Sequence, residues 1–245
     1  MHSAPDGVDT VAAQQSVEDA EASELEARSH LAAAEEVSDA DNVEWEPPDY
    51  GSDAFWEQHF ASAPHGSAAD PAALEYEWIC ADLERLVNLL VPYLPSSGLL
   101  FHPGCGMSQL PLKLHDLGLE VLSVDSSPSC VTAMSEAYGK CRRLCWEVRD
   151  ARDLGDISCS APFAGAVEKG CLDAMLCDSE ASASRYIAEL ARVLPAGCPL
   201  LLVSNSPVRH RHLTPLFVVR EVLSISPEDP FGSSLFVCER AASEL

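Results

Sequence analysis

Residues 98–125 read GLLFHPGCGMSQLPLKLHDLGLEVLSVD. The apolar run from Gly98 to His102 ends in Pro103-Gly104-Cys105-Gly106, residues 107–117 carry a helix signal closed by Gly118, and Glu120 to Val124 is a second apolar run ending at Asp125. Strand, glycine turn, helix and strand in this order form one unit of an alternating fold. The glycine pair lets the backbone turn sharply and lets a ligand approach the main chain beside a helix N-terminus. On its own it reads equally as a plain turn. Its place at the end of a first strand points to a ligand, because ligands of alternating folds sit outside the carboxyl ends of the strands. Asp125 ends the second strand about 20 residues later, the spacing at which an acidic side chain meets ribose hydroxyls. It also suits a helix N-cap, and the two roles are compatible.

The unit repeats downstream. Residues 127–139 read as a helix, with Ser126 or Ser127 as cap, Pro128 in the first turn and Gly139 after it. Residues 143–148 read as a strand followed by Arg149-Asp150, and Phe163 to Val167 as a strand ending at Glu168. Residues 180–193 form a helix with Tyr186, Ile187, Leu190, Val193 and Leu194 on one face, and Cys198 to Val203 a strand. The fold class is therefore α/β, a mostly parallel Rossmann-like sheet with helices on both faces. Leu216 to Leu223 and Ser234 to Cys238 are strands separated by Ser226-Pro227-Glu228-Asp229-Pro230, with no room for a helix. They read as an antiparallel hairpin at the sheet edge. Upstream, 53–62 suits a short helix carrying Phe55, Trp56, His59 and Phe60. A longer helix is expected with Asp70 as N-cap and Pro71 in its first turn. Its apolar stripe is Ile79, Leu83, Leu86, Leu90 and Tyr93, and it ends at Leu94-Pro95.

The chain has 245 residues and a formal net charge of −24. Such a balance disfavours nucleic acid and anionic membrane surfaces, which call for clustered cations. Residues 1–49 hold 14 acidic residues and a single basic one, Arg28. They lack an apolar stripe and are expected to be a disordered acidic tail, acting as a docking arm or dispensable. The domain is expected over 50–245, with a helical cap at 50–97. The 10 cysteines include no CxxC pair, so no zinc site is expected, and several lie among apolar neighbours as reduced core thiols. No secretory or transit signal is read at the N-terminus, and no apolar run is long enough to span a bilayer. A cytoplasmic monomer is expected.

Two further strand ends carry charge. Asp150, before Ala151, is placed to accept from an exocyclic amine such as that of adenine, or is a surface acid beside Arg149 and Arg152. Glu168-Lys169-Gly170-Cys171-Leu172-Asp173 looks like an active-site rim; Asp173 also reads as a helix cap and Lys169 as a solvated charge.

Residues 50–240 resemble class I S-adenosylmethionine-dependent methyltransferases. More narrowly, they are similar to the group containing the lysine methyltransferases of elongation factor 1-alpha and of citrate synthase. The resemblance rests on GCGMS at 104–108, SVDSS at 123–127, EKGCLDAM at 168–175, YIAELARVLPAG at 186–197 and LFVCER at 235–240. DYGSDAFWEQHF at 49–60 and EYEWICADLERL at 75–86 match the group's Trp-bearing N-terminal elements. It implies seven strands in the order 3-2-1-4-5-7-6 and S-adenosyl-L-methionine as cofactor. Gly104, Cys105 and Gly106 would line the methionine moiety, Asp125 and Ser126 the ribose side, and Asp150 with Ala151 the adenine. Glu168 would face the methyl group and the nucleophile. This chain departs from the group at Met107 (usually Asn), Glu168 (Asp), Cys171 (Thr) and His59 (Arg). An imidazole at position 59 loses the bidentate, charged pairing of a guanidinium with the cofactor carboxylate.

The implied activity is methyl transfer to a lysine of a protein. The amine must lose a proton from a group of pKa about 10.4, and burial in an aromatic channel favours that loss. Trp56, Tyr76 and Trp78 fit such a wall, or a core; Glu168 would orient the amine. The expected partner is a protein with a basic surface, such as a translation factor. The alternatives are a small-molecule methyltransferase of the same fold and a catalytically weak interaction module.

Overall fold

The runs flanking the glycine pair lie at the centre of one sheet. The computed structural model describes residues 47–62, 77–157, 161–226 and 232–242. In it α1 (Asp53–Ser62) and α2 (Leu83–Leu90) precede β1 (Leu99–Pro103), α3 (Leu110–Asp116), β2 (Glu120–Asp125), α4 (Pro128–Tyr138) and β3 (Leu144–Val148). Then come β4 (Phe163–Lys169), α5 (Cys171–Asp178), α6 (Glu180–Val193), β5 (Pro199–Ser204), β6 (Phe217–Ser224) and β7 (Ser234–Arg240). The seven strands lie in the order β3-β2-β1-β4-β5-β7-β6. β1 pairs in parallel with β2 and β4, β2 with β3, and β4 with β5. β7 inserts antiparallel between β5 and β6, so the hairpin runs as expected.

Side chains alternate across the strands and bury both faces, as a covered parallel sheet requires. Leu100, Val121, Leu201 and Val237 pack on one face with Leu86, Leu90, Leu114 and Met134. Phe101, Leu122, Leu200 and Phe236 pack on the other with Tyr186, Ile187 and Leu190. The parallel strands all run the same way, so the ends of β1, β2, β3, β4 and β5 open on one rim.

Several expectations need correction. The helix before β1 begins at Leu83, where the Asp82 carboxylate accepts from Arg85 N. Ile79 is not on it: its φ of 72° places it outside any helix. Asp70, Pro71 and Tyr76 fall outside the described residues, as do residues 1–46 of the acidic tail, Cys159 and residues 227–230 of the hairpin connection. α3 starts at Leu110 rather than 107, because Ser108 Oγ accepts from Leu110 N at 3.1 Å and residues 107–109 form the turn that leads in. α5 was not anticipated. Gly170, with φ of 84°, starts it, and Asp173 lies in its first turn instead of capping it. No disulfide occurs among the described residues. Cys80, Cys105, Cys130, Cys171 and Cys238 are core thiols, whereas Cys145, on the edge strand β3, and Cys177, on α5, are exposed. No helix among the described residues is long and apolar enough to cross a membrane.

Candidate functional site

The ends of β1, β2 and β4 converge on a cavity of about 820 Å³, its open mouth included. Its first side is mainly backbone. Gly104 and Gly106 have φ of 56° and 51°, and Cys105 N donates to Val124 O, tying the turn to β2. A Cβ at Gly104 would lie 2.5 Å from Cys171 Sγ. Asp125 is buried, and its carboxylate accepts from Gly106 N at 2.9 Å and Ser127 N at 3.0 Å. Burial raises its pKa against those two hydrogen bonds. Each oxygen keeps acceptor capacity toward the cavity. Cys105, Gly106, Met107, Ser126 and Ala151 line the same side.

Asp150 is held differently from its expected place. Its carboxylate accepts from Arg152 N and Nε, which makes it the acid beside Arg152. Arg152 lines the cavity with Arg149 and Ala151, and it also bonds Ser182 and pairs with Asp53. Asp53 accepts from Ser126 Oγ as well. One turn on, Glu57 accepts from Ser127 Oγ, Ser129 Oγ and Ser129 N. These bonds lower its pKa, the one to Ser127 most. The acidic face of α1 is thus seated on the N-terminus of α4, where partial positive charge and unpaired N–H groups favour it. Sequence reading missed Asp53, Glu57 and Arg152 as a group. The signal was the i, i+4 pair of acids beside Trp56 and Phe60.

The second side is made of rings. Tyr50, Trp56 and Trp78 line the cavity. Tyr50 lies 5.2 Å from Trp78, and Trp56 lies 5.5 Å from Trp78 at 87°. Trp56 Nε1 donates to Tyr50 O at 2.8 Å. Phe60 packs beneath, 5.7 Å from Trp56 and facing Gly106. His59 stacks on Phe55 and meets Trp56 and Phe60 edge-on, inside the aromatic cluster.

Glu168 requires a correction. It is 0% exposed and does not line the cavity, whereas Lys169, next on β4 and on the opposite side of the strand, does. Its Oε2 accepts from Cys171 N at 2.8 Å and Leu172 N at 3.4 Å, capping α5. Oε1 has no hydrogen-bond partner among the described residues. Burial, with the charge of Asp173 adding to it, pushes the Glu168 carboxyl up to about 8. Asp173 meanwhile bonds Ser204 Oγ and pairs with Arg209. Cys105, Asp125 and Cys130 bring donor atoms within 4.8 Å of one another. The hydrogen bond that Cys130 donates to Cys105, together with burial, holds the Cys130 thiol well above its usual range, and burial raises Cys105 against that bond.

This strand order, with a glycine turn after β1 and a carboxylate ending β2, is the fold of class I S-adenosylmethionine-dependent methyltransferases. Similar solved structures include the N-methyltransferase NodS of Bradyrhizobium japonicum in complex with S-adenosylhomocysteine. Its TM-score is 0.55 at 16% identity, covering 77% of this chain and 99% of that one. Magnesium protoporphyrin IX methyltransferase of Synechocystis, with bound S-adenosylmethionine, gives 0.54 at 17% identity, covering 82% and 100%. At these identities the likeness is one of fold. Within that fold, the chain resembles the eEF1A lysine and N-terminal methyltransferase of Xenopus laevis. The two are 31% identical over 163 residues, which is 64% of this chain and 22% of that relative, so this chain matches about a fifth of the relative's length. No family model matches the sequence.

Proposed function

We propose that this chain transfers a methyl group from S-adenosyl-L-methionine to a lysine amine of a protein. The observation that carries the reading is one cavity with two unlike sides, a glycine-and-carboxylate cradle and a wall of aromatic rings. The cradle fits the cofactor. Gly104 leaves no room for a Cβ, and the backbone of Gly104, Cys105 and Gly106 meets the amino-acid end. Asp125 accepts from the ribose hydroxyls beside Ser126, and Ala151, with the Asp150–Arg152 pair behind it, flanks the base. The cofactor supplies an activated methyl group, so the protein's task is chiefly alignment.

The rings act on the acceptor. Tyr50, Trp56 and Trp78 remove water from an entering amine, which favours its neutral, nucleophilic form. Their faces attract whatever fraction arrives charged. Glu168 serves from outside the cavity lining, holding the amides of Cys171 and Leu172 at the start of α5. It is a positioning residue in this reading. Asp53, Asp178 and Glu180 are exposed carboxylates around Arg152 and the start of α6, and the chain carries −24 overall. The matching partner presents a basic surface around its lysine. The relatives' name supports a translation factor as that partner, met in the cytoplasm. In this reading residues 1–49 are an acidic tail and residues 50–245 the catalytic domain.

The test is incubation of the full chain with methyl-labelled cofactor and a cell extract. Label is expected in a protein band and, after hydrolysis, in methyl-lysine. Label confined to small molecules would replace the protein acceptor by a small one. Calorimetry that detects no binding of S-adenosylmethionine would leave only an interaction module.

A further inference from the structure

Lys169 ends β4, and its side chain is 2% exposed. Its ammonium lies 3.0 Å from Glu77 Oε2 and donates to Trp78 O at 2.7 Å. Glu77, whose side chain is 10% exposed, also accepts from Ser108 Oγ at 2.8 Å and Gln109 N at 2.7 Å. A single carboxylate therefore joins the turn before α3, the end of β4 and the strap 77–80. Desolvating two charges is costly, and an apolar pair of similar volume often holds a fold equally well. A positional task would account for the pair's presence.

The strap itself shows the task. Ile79 has φ of 72°, a left-handed conformation that a β-branched residue adopts only under constraint from its surroundings. That constraint is visible on each side. Lys169 grips the carbonyl of Trp78 before it, and Ser233 Oγ donates to Ile79 O at 3.1 Å. Below, Gly170 leaves the needed space: a Cβ there would lie 2.7 Å from Ile79 Cδ1 and 3.2 Å from Trp78 Cδ1. The outcome is a Trp78 ring standing between Gly170 and the rings of Tyr50 and Trp56.

We infer that Lys169 and Glu77 are positioning residues for the acceptor: their buried pair locks the strained strap 77–80 so that Trp78 forms the wall at the end of β4. The inference rests on the methyl-transfer reading for its purpose and on the strap alone for its geometry. The pair does not touch the reacting atoms. It acts through the Trp78 carbonyl on the direction of the ring.

The experiment uses the full chain labelled with 5-fluorotryptophan, whose four tryptophans (45, 56, 78 and 146) give four fluorine resonances. Trp78→Phe assigns the resonance of interest. Trp146, on the edge strand β3 and packed on Tyr138, reports on the fold. In Lys169→Met and Glu77→Gln the Trp78 resonance is expected to shift or split while that of Trp146 stays. S-adenosylhomocysteine affinity, measured by calorimetry, should change less than about threefold. The initial rate of label transfer to extract protein should fall at least tenfold. A Trp78 resonance unmoved in both variants would overturn the inference, even if wild-type transfer is robust. Absence of any transfer by the wild type would instead overturn the function and leave the fluorine result to judge the strap. If Lys169→Met fails to fold, Glu77→Gln, which keeps the hydrogen-bonding shape, decides. If that also fails, the pair serves stability and the inference is wrong.

Discussion

Where β1 and β2 end, the cavity wall is backbone held by backbone: a turn with two positive-φ glycines, one carboxylate accepting from Gly106 N and Ser127 N, and Cys105 N bonded to Val124 O. Where β4 ends, the wall is side chains gathered from afar. Trp56 comes from α1, Trp78 from a strap pinned by Lys169, and Tyr50 from the segment before α1. The first kind of wall leaves no room at Gly104, where an added Cβ would lie 2.5 Å from Cys171 Sγ. The second can be re-formed by replacing rings. A protein that keeps one cofactor while its acceptors vary has reason to be built this way, with binding of the common ligand in the main chain and discrimination in the side chains.

The largest expected effect is on the backbone wall. Gly104→Ala combines an unfavourable φ with a contact of 2.5 Å to Cys171 Sγ. A cost of roughly 2–4 kcal/mol follows from strain of this kind, read as a fall of at least about thirtyfold in cofactor affinity by calorimetry. An unchanged affinity would erase the distinction between the two walls. Next, Asp125→Ala should weaken S-adenosylmethionine binding by about 1.5–3 kcal/mol, the scale of hydrogen bonds to a charged group, with acceptor KM little altered at saturating cofactor. A folded variant with full affinity would sink the ribose assignment.

Outside both walls lies Glu168, and it links the site to pH. Its folded pKa, about 8, stands above the ordinary 4.5. The folded state therefore holds the proton more tightly. The stability this confers is complete below about 4.5 and is lost as pH rises through about 8. Melting temperature should fall by several degrees between pH 5 and pH 9. Glu168→Gln, neutral throughout, should flatten that slope. A wild-type slope of opposite sign would show that the carboxyl is ionised in place. The smallest effect concerns the partner. Transfer to a basic protein, at substrate below saturation, should slow several-fold as ionic strength rises from about 0.02 M to about 0.3 M, while cofactor affinity moves less. A flat rate across that series would assign the acceptor wall to a small neutral molecule.

The backbone wall was also the legible one. Its glycines, Asp125 and the cap at Ser127 lie within a few residues of strand ends, and local patterns report such features directly. The aromatic wall was read only in part. Trp56 and Trp78 stood out as rings, but Ile79 was assigned to a helix because its spacing to Leu83 fitted the apolar stripe. The stripe gives no sign that a carboxylate two residues earlier is drawn to Ser108, Gln109 and Lys169. The charged strand end before Gly170 and the family resemblance both put Glu168 at the cavity. One residue of alternation along β4 put Lys169 on the cavity lining and Glu168 off it.

By itself the sequence determined the alternating sheet, its closing hairpin and the glycine turn with Asp125 at the neighbouring strand end. Each follows from period, turn residues and the direction of parallel strands, and these are properties of short segments. Tertiary structure decided which charges meet. Glu77 with Lys169, Asp53 with Arg152 and Asp173 with Arg209 are joined across 92, 99 and 36 residues of chain. Their pairing depends on where the packed core carries each backbone. It also decided which carboxyl has its pKa pushed furthest upward. Burial sets that property, and a residue's depth is fixed only once the whole sheet has closed around it.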